Sequence, residues 1–248
     1  MVRLDKFLAD AGFGTRSEIK KLIRGGKVTV AGETAGQPER KIDPAAACVC
    51  VCGAPVEYQE SVSYLFHKPA GCVTARTDAT TPTVMDYFPA PERGKLSPVG
   101  RLDKDTEGLL IVTSDGALNH HLTSPARHVE KTYYAVLDHE VSEEAARQFA
   151  VGLDIGDDKP TKPAKLLILP KEEPFDAALP AELSGEAKAH ARLTITEGRY
   201  HQVKRMFAAV DCRVLYLKRL SIGQISLGDL PRGEYRRLTE EELEALKA

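Results

Sequence analysis

The 248-residue sequence contains no run approaching the ~20 consecutive apolar residues of a membrane span. Its opening residues, Met1-Val2-Arg3-Leu4-Asp5-Lys6, lack the apolar core of a secretory leader. The expected compartment is therefore the cytoplasm, with no membrane partner. A large net charge is also missing: 34 Lys+Arg stand against 36 Asp+Glu, giving −2. That excludes a basic shell over the whole chain, of the kind that coats nucleic acid non-specifically. Cysteine is scarce. Of the five, Cys48, Cys50 and Cys52 alternate, and no second pair at metal-ligand spacing follows. This spacing argues against a zinc site. In a strand the three share one face, which suits a buried or half-buried strand in a reducing compartment. No internal repeat is visible. What remains is 42% hydrophobic and 28% charged residues, ordinary for a globular protein and incompatible with bulk disorder. The length fits one large domain or two smaller ones.

The near-neutral balance hides an asymmetry. Residues 1–43 carry nine Lys/Arg against six Asp/Glu, whereas residues 62–248 carry 25 against 28. Within the basic segment, Leu4, Phe7, Leu8 and Ala11 follow the i, i+3, i+4, i+7 pattern of one helix face. Thr15 and Glu18 then form a capping-box signature. Ile19, Leu22 and Ile23 supply a second apolar face, which Gly25-Gly26 ends. Val28 and Val30 alternate with polar residues before Ala31-Gly32, a hairpin signal. On the second helix Arg16, Lys20 and Arg24 fall at i, i+4, i+8, with Lys21 and Lys27 close by. Such a ridge binds phosphates with a salt-dependent affinity, or else is a solvated helix face. The words Arg3-Leu4-Asp5-Lys6-Phe7-Leu8, Arg16-Ser17-Glu18-Ile19 and Ile23-Arg24-Gly25-Gly26-Lys27-Val28-Thr29-Val30 resemble the ribosomal-protein-S-four-type RNA-binding domain. That resemblance implies RNA contacts from Arg3, Lys6, Arg16, Lys20, Lys21, Arg24 and Lys27. The first domain is placed at residues 1–57.

Residues 53–61 read as a linker, and a second domain is expected over 62–248. Strand-like runs recur at Val62–Phe66, Gly108–Thr113, Thr132–Leu137, Leu166–Leu169, Ala191–Thr196 and Val214–Leu217. Helical patterns start near Ser142, with Ala145 and Phe149 inward, and over Tyr200–Val210, with Val203, Met206, Phe207 and Val210 on one face. A third starts at Thr239, capped by Glu242. Strands and helices do not alternate regularly, which disfavours a doubly wound parallel sheet and favours a mixed α+β sheet. Residues 170–189 lack periodicity and read as a surface insertion.

Three polar clusters carry candidate chemistry. Gly100-Arg101-Leu102-Asp103-Lys104-Asp105-Thr106-Glu107-Gly108 precedes an apolar strand, where catalytic loops commonly sit. Asp103, Asp105 and Glu107 fit a divalent-ion site for phosphoryl transfer, a lone carboxylate nucleophile, or an acidic solvated turn. Glu197-Gly198-Arg199-Tyr200-His201-Gln202-Val203-Lys204-Arg205 joins a strand to a helix and offers Lys204 as a cation for a carboxylate. His201 reads as structural or RNA-contacting rather than a base, because no Ser or Cys nucleophile motif accompanies it. In Lys131-Thr132-Tyr133-Tyr134 the two tyrosines face opposite sides of a strand. One is a candidate to stack on a base.

Taken together, Gly100–Leu109, Lys131-Thr132-Tyr133, Gly198–Met206 and Lys68-Pro69-Ala70-Gly71 resemble, in order, the motifs of the pseudouridine synthase family. His67 stands where Asn is usual. The resemblance spans the chain apart from 170–189, and it is similar to the branch that pairs an RNA-binding domain with modification of single small-subunit (16S) ribosomal RNA uridines. It implies a mostly antiparallel catalytic sheet, Asp103 as nucleophile, Tyr133 against the base, and Lys204 paired with Asp103. It also implies Arg101, Arg199 and His201 as RNA contacts, with Arg101 filling the space of a flipped base. Asp105 and Glu107 become loop-structuring residues. No cofactor or metal is implied. The implied partner is small-subunit ribosomal RNA or an assembling small-subunit particle, and nothing demands more than a monomer.

Overall fold

The computed structural model describes residues 1–44, 46–56, 61–124, 127–176 and 179–247. The chain forms two compact units, Met1–Val62 and Ser63–Ala248. In the first, β1 (Val2–Arg3), α1 (Leu4–Asp10) and α2 (Arg16–Arg24) precede β2 (Val28–Val30), β3 (Glu33–Thr34), β4 (Lys41–Ile42), β5 (Val49–Val51) and β6 (Ala54–Pro55). The capping box forms: Thr15 Oγ1 accepts from the Glu18 amide at 3.3 Å, and the Glu18 carboxylate accepts from the Thr15 amide at 2.7 Å. Leu4, Phe7, Leu8, Ile19 and Ile23 are buried against Val28, Val30, Val49 and Val51. Each such side chain contributes roughly 1.5–3 kcal/mol. Ala31 and Gly32 both have positive φ, 53° and 83°, the backbone a two-residue hairpin turn between β2 and β3 requires.

The small sheet runs β3-β2-β5-β6. In β5 Val49 and Val51 face the core, so Cys50 is half-buried while Cys48 and Cys52 are exposed. The strand is half-buried as expected, with the cysteines on its outer side. The expected linker begins too early. Ala54–Pro55 pairs with β5 as β6, so that part belongs to the first unit. Residues 57–60, with the boundary placed at 57, lie outside the described residues.

The second unit contains β7 (Ser63–Lys68), a 3-10 turn (Val84–Tyr87), α3 (Ala90–Arg93), β8 (Ser97–Pro98), β9 (Glu107–Thr113) and α4 (Gly116–Thr123). Then follow β10 (Lys131–Leu137), α5 (Glu143–Val151), β11 (Lys165–Ile168), α6 (Ala181–Ser184) and β12 (Ala189–Ile195). The chain closes with α7 (Gln202–Ala208), β13 (Val214–Ile222), β14 (Ile225–Ser226), β15 (Tyr235–Arg237) and α8 (Glu240–Lys247). The main sheet has the order β11-β12-β10-β13-β9-β7-β15. Its pairings are antiparallel except β9 against β13, which is the mixed, mostly antiparallel architecture expected. Gly108 permits that parallel contact. Its φ is +104°, and a Cβ there would fall inside the backbone of Arg219. Where β10 meets β13 the register slips between Thr132 and Tyr133. The bulge sets Tyr133 opposite Arg219, a device that re-aims side chains beside functional sites.

The expected helices at 143, 202 and 240 form, the last with its Thr239–Glu242 box. Helix α4 was not anticipated. Its helical signal is the Asp115 cap, which accepts from the Ala117 and Leu118 amides, over a segment with little apolar periodicity. The segment 170–189 is more than a surface insertion. Phe175, Leu179 and Ala187 pack on Tyr134, Val136, Leu169 and Tyr216. Asp176 ties to Lys218 at 2.9 Å and to the Tyr134 hydroxyl through its amide at 3.0 Å. Among the described residues no helix is long and apolar enough to cross a membrane.

Candidate active site

A cavity of about 660 Å³ opens on one face of the main sheet, within the range of small-ligand sites. Its wall is built from the loop Val99–Thr106, the start of β10, the segment Ile195–Val203 that enters α7, and Leu217, Arg219 and Ile222 of β13. Face alternation explains the choice of side chains. Lys131 and Tyr133 lie two apart on β10, and Tyr133 pairs with Arg219, so all three share the cavity side. Tyr134 and Lys218 face the opposite way.

The loop bearing Asp103 is held from beneath by Lys68. This side chain is fully buried. Its ammonium donates to the carbonyls of Thr106 (2.8 Å), Asp103 (3.0 Å) and Pro69 (3.0 Å), with that of Lys104 at 3.4 Å. Burial pushes the Lys68 pKa down, against the opposing effect of Cys72, Asp105, Glu107 and Asp103. A buried cation tolerates such a site only because carbonyl oxygens replace its water. Thr74 clamps the same loop, donating to the Leu102 carbonyl at 2.8 Å and accepting from the Leu102 amide at 3.1 Å. Gly71 donates to the Lys104 carbonyl at 2.8 Å. The loop is thus fixed by its backbone, which leaves the carboxylate of Asp103 free to face the cavity.

That carboxylate is about a quarter exposed, 26%. Its Oδ2 lies 3.5 Å from Lys204 Nζ and its Oδ1 lies 3.5 Å from His201 Nε2. The expected pairing of Lys204 with Asp103 is present but shared. The tighter contact is to Asp105 Oδ1, at 2.6 Å. Burial pushes the Asp105 carboxyl up, yet the hydrogen bond and charge of Lys204, with the charge of His201, hold it below its ordinary value. Asp105 therefore anchors Lys204 where it also reaches Asp103. Glu107 points elsewhere. It is buried on the other face of the sheet and accepts from Tyr216 Oη at 2.9 Å and from the Ala70 amide at 3.4 Å, with Arg232 Nε at 3.3 Å. The three acids do not converge, and among the described residues no group of three His, Cys, Asp or Glu could hold a metal ion. Asp105 and Glu107, expected to structure this loop, bond outside it: Asp105 to Lys204 of α7, and Glu107 to Tyr216, Arg232 and the Ala70 amide.

The turn into α7 is equally constrained. Gln202 accepts from the Arg199 amide at 2.9 Å and donates to Glu197 at 2.8 Å. His201 caps α7 with φ 48° and ψ 34°, a left-handed conformation that costs a non-glycine residue energy. Arg199, an expected RNA contact, bonds within the chain to Glu197, Asp157 and the carbonyls of Lys159 and Pro160. In the first unit Arg3 is likewise committed, bidentate to the buried Asp5 at 2.8–2.9 Å. Lys6 reaches Asp10 at 3.2 Å. The ridge is different: Arg16, Lys21, Arg24 and Lys27 are exposed and Lys20 is half-exposed. Arg101 is exposed on the cavity wall.

Of the two tyrosines, Tyr133 lines the cavity, while Tyr134 bonds His190 Nδ1 at 2.9 Å on the far side. Arg219 supports Tyr133 from within. It donates Nε to the Leu109 carbonyl at 2.7 Å and NH1 to the Tyr133 hydroxyl at 3.4 Å, with its guanidinium 5.9 Å from the ring centre. Lys68 and Arg219 were missed as site residues by sequence reasoning. The available signal was a cation at the end or middle of an otherwise apolar strand. His67, the departure from the usual Asn, is buried and bonds the Leu230 carbonyl through Nδ1 at 2.7 Å. Burial holds its pKa below the ordinary value.

The cavity thus holds an accessible carboxylate, a lysine beside it and an aromatic wall on a mixed sheet, and the same chain carries a small basic helical unit. The family model of RNA pseudouridylate synthase matches residues 62–209 and that of the S4 domain matches residues 2–46. The chain belongs to the RNA pseudouridylate synthase family. It is 43% identical over 247 residues to Uncharacterized RNA pseudouridine synthase YtzG of Bacillus subtilis (99% of this chain, 98% of that one). It is 42% identical over 245 residues to Ribosomal small subunit pseudouridine synthase A of Escherichia coli K12, with 98% of each covered. A crystal structure of a pseudouridylate synthase, 39% identical, superposes with a TM-score of 0.67 over 99% of this chain and 100% of that one. The chain is thus an RNA-modifying isomerase.

Proposed function

We propose that this enzyme converts one uridine of small-subunit ribosomal RNA to pseudouridine, with Asp103 as nucleophile. The observation that carries the reading is the Asp103 carboxylate, open to the cavity and flanked at 3.5 Å by Lys204, with Tyr133 on the same wall. The target base leaves its stack to enter, at a cost of a few kcal/mol that single-stranded RNA lowers. Tyr133 packs against the uracil. Asp103 attacks carbon 6 of the base or the anomeric carbon of the ribose. The bond from the ribose to N1 breaks, the uracil turns within the cavity, carbon 5 bonds the ribose, and the bond to Asp103 breaks to return the free carboxylate. The hydrogen on carbon 5 leaves as a proton and N1 gains one, so the reaction is an isomerisation that consumes no cofactor. Lys204, anchored by Asp105, fixes the carboxylate in place. Arg101, the exposed cation of the catalytic loop, occupies the gap left by the base. Residues 1–57 deliver the RNA through Arg16, Lys20, Lys21, Arg24 and Lys27, and residues 62–248 perform the chemistry, as a cytoplasmic monomer.

The test is tritium release from RNA labelled at carbon 5 of uridine, with small-subunit and large-subunit ribosomal RNA in parallel and chelator present. Release from the small-subunit RNA, free or as an assembling particle, is expected. Release from large-subunit RNA alone would overturn the substrate, and release from neither would overturn the activity. Charge reversal at Arg16, Lys20 and Arg24 should weaken RNA binding and flatten its salt dependence by up to three phosphate contacts.

A further inference from the structure

One aromatic side chain at the cavity has no role in the reaction above. Tyr200 lines the cavity and is 76% exposed. Its ring lies on that of His201, with centroids 3.8 Å apart and planes 18° from parallel. One ring face is thus spent on His201, whose other contact is the 3.5 Å approach to Asp103. The backbone beneath is not free to let the ring fold away. Arg205 donates to the Tyr200 carbonyl at 3.1 Å and is itself held by Asp157 and the Ile155 carbonyl. On the other side Arg199 is held by four partners. His201 adopts its left-handed conformation in this turn, and the strain is retained where the ring stack is displayed.

We infer that Tyr200, stacked on His201, is a platform for the base of the nucleotide next to the isomerised uridine. This rests on the uridine reading proposed above and adds a second base subsite to it. The occupant follows from position and chemistry. The ring continues the cavity wall on which Asp103 sits, so a chain entering to present one base to Asp103 passes its neighbour over Tyr200. A flat π surface backed by an imidazole accepts any base by stacking, and single-stranded RNA with unstacked bases is the ligand that presents them. Arg101, also on the cavity wall and exposed, is available for an adjoining phosphate. His201 approaches Asp103 at 3.5 Å but the Tyr200 ring does not, so the ring itself acts on binding rather than on the chemical step.

The experiment measures pseudouridine formation on a small-subunit ribosomal RNA transcript by the full-length enzyme and by Tyr200→Phe, Tyr200→Leu and Tyr200→Ala. Stacking predicts a KM raised about ten-fold in Tyr200→Ala, within the range for loss of one base–aromatic stack, with kcat within two-fold. Tyr200→Phe should retain the wild-type KM and Tyr200→Leu should not. An unchanged KM in Tyr200→Ala, or full rescue by leucine, would overturn the platform. A fall in kcat at constant KM would also overturn it, by placing Tyr200 in the chemical step. A wild-type enzyme that forms no pseudouridine on this transcript would instead overturn the underlying substrate reading, and the inference with it. The exposed position makes misfolding a poor explanation for any of these, and a thermal melt of each variant checks that.

Discussion

The two faces of the strand pair β10–β13 carry similar residue types and treat them oppositely. On the back, Glu107 takes Tyr216 and Arg232, Lys218 takes Asp176, and Tyr134 takes His190. Burial and the adjacent Glu107 carboxylate push the Tyr216 hydroxyl far above its ordinary pKa. Each of these groups is paired with another. On the front, Asp103 shares a lysine that is bonded more tightly to Asp105, Tyr133 has a 3.4 Å contact to Arg219, and Lys131 reaches only a backbone carbonyl. Polar residues that satisfy one another stabilise a fold. Polar residues left short of partners are available to a substrate, and this difference, more than residue type, separates the catalytic face from the structural one.

The comparison is broken most severely at the two carboxylates. Asp103→Asn removes the proposed nucleophile and none of the loop's anchors, which are backbone contacts. Turnover should fall at least ~10⁴-fold while the melting temperature and RNA affinity stay near wild type. Retained turnover in a single-turnover assay would remove Asp103 from the chemistry. Glu107→Leu is the mirror case. It strands the Tyr216 hydroxyl in a buried site and removes a partner of the exposed Arg232, and should cost about 1–3 kcal/mol of unfolding free energy. Urea titration reads this directly, and a loss below ~1 kcal/mol would show the back face to be less interdependent than its geometry implies.

Much of the fold was legible because apolar periodicity is a local signal. The strands at 63–68, 107–113, 131–137, 165–168, 189–195 and 214–222, and the capped helices at 16, 143 and 240, follow from side chains near in sequence. The short strands β8, β14 and β15 were not legible, since two or three residues carry no period and are strands only because a long neighbour pairs with them. In the site, Asp103, Tyr133 and Lys204 came from the family motifs. Chemistry alone left the acidic loop open between a chelating site and a lone nucleophile. What decides the geometry is face and partner. Glu107 is four residues from Asp103 yet on the other side of the sheet, and Lys68 is 35 residues away yet bonded to the Asp103 carbonyl. Neither relation is written in local sequence. The ion pairs that Arg199 and Arg3 make within the chain were invisible for the same reason, because a basic residue in a motif looks alike whatever it meets.

A smaller effect sharpens the contrast between the tyrosines. Tyr134→Phe keeps the ring and loses the hydroxyl that meets His190 and the Asp176 amide. The contacts of Phe175 and Asp176 should loosen, with a cost of about 1–2 kcal/mol and faster exchange of the Phe175, Asp176 and Leu179 amides, while turnover holds. The same change at Tyr133 should leave stability within ~1 kcal/mol, its hydroxyl having one long contact, and any change in turnover would report on the base pocket. Equal losses of stability at the two positions would erase the distinction between the faces.

The smallest expected effect concerns the front face and pH. Burial, with a contribution from nearby Arg219, lowers the Lys131 pKa from 10.5 to about 8. Its ammonium donates to the Val129 carbonyl at 2.8 Å, and among the described residues no carboxylate offsets the cost of burying its charge. At pH 7 the lysine is protonated folded and unfolded, and the folded state bears the desolvation cost. Between about pH 8 and pH 10 the folded protein gives up this proton while the unfolded chain keeps it, so the unfolded state binds more protons and stability rises with pH. Lys131→Met has no proton to release. The stability of wild type relative to Lys131→Met should therefore improve by on the order of 1 kcal/mol from pH 7 to pH 10, a figure reduced for the side chain's partial exposure. Urea titrations of both proteins at several pH values measure this double difference, in which groups common to both cancel. Parallel curves would mean that Lys131 is paired or solvated in solution, and that the front face holds its charges no less completely than the back.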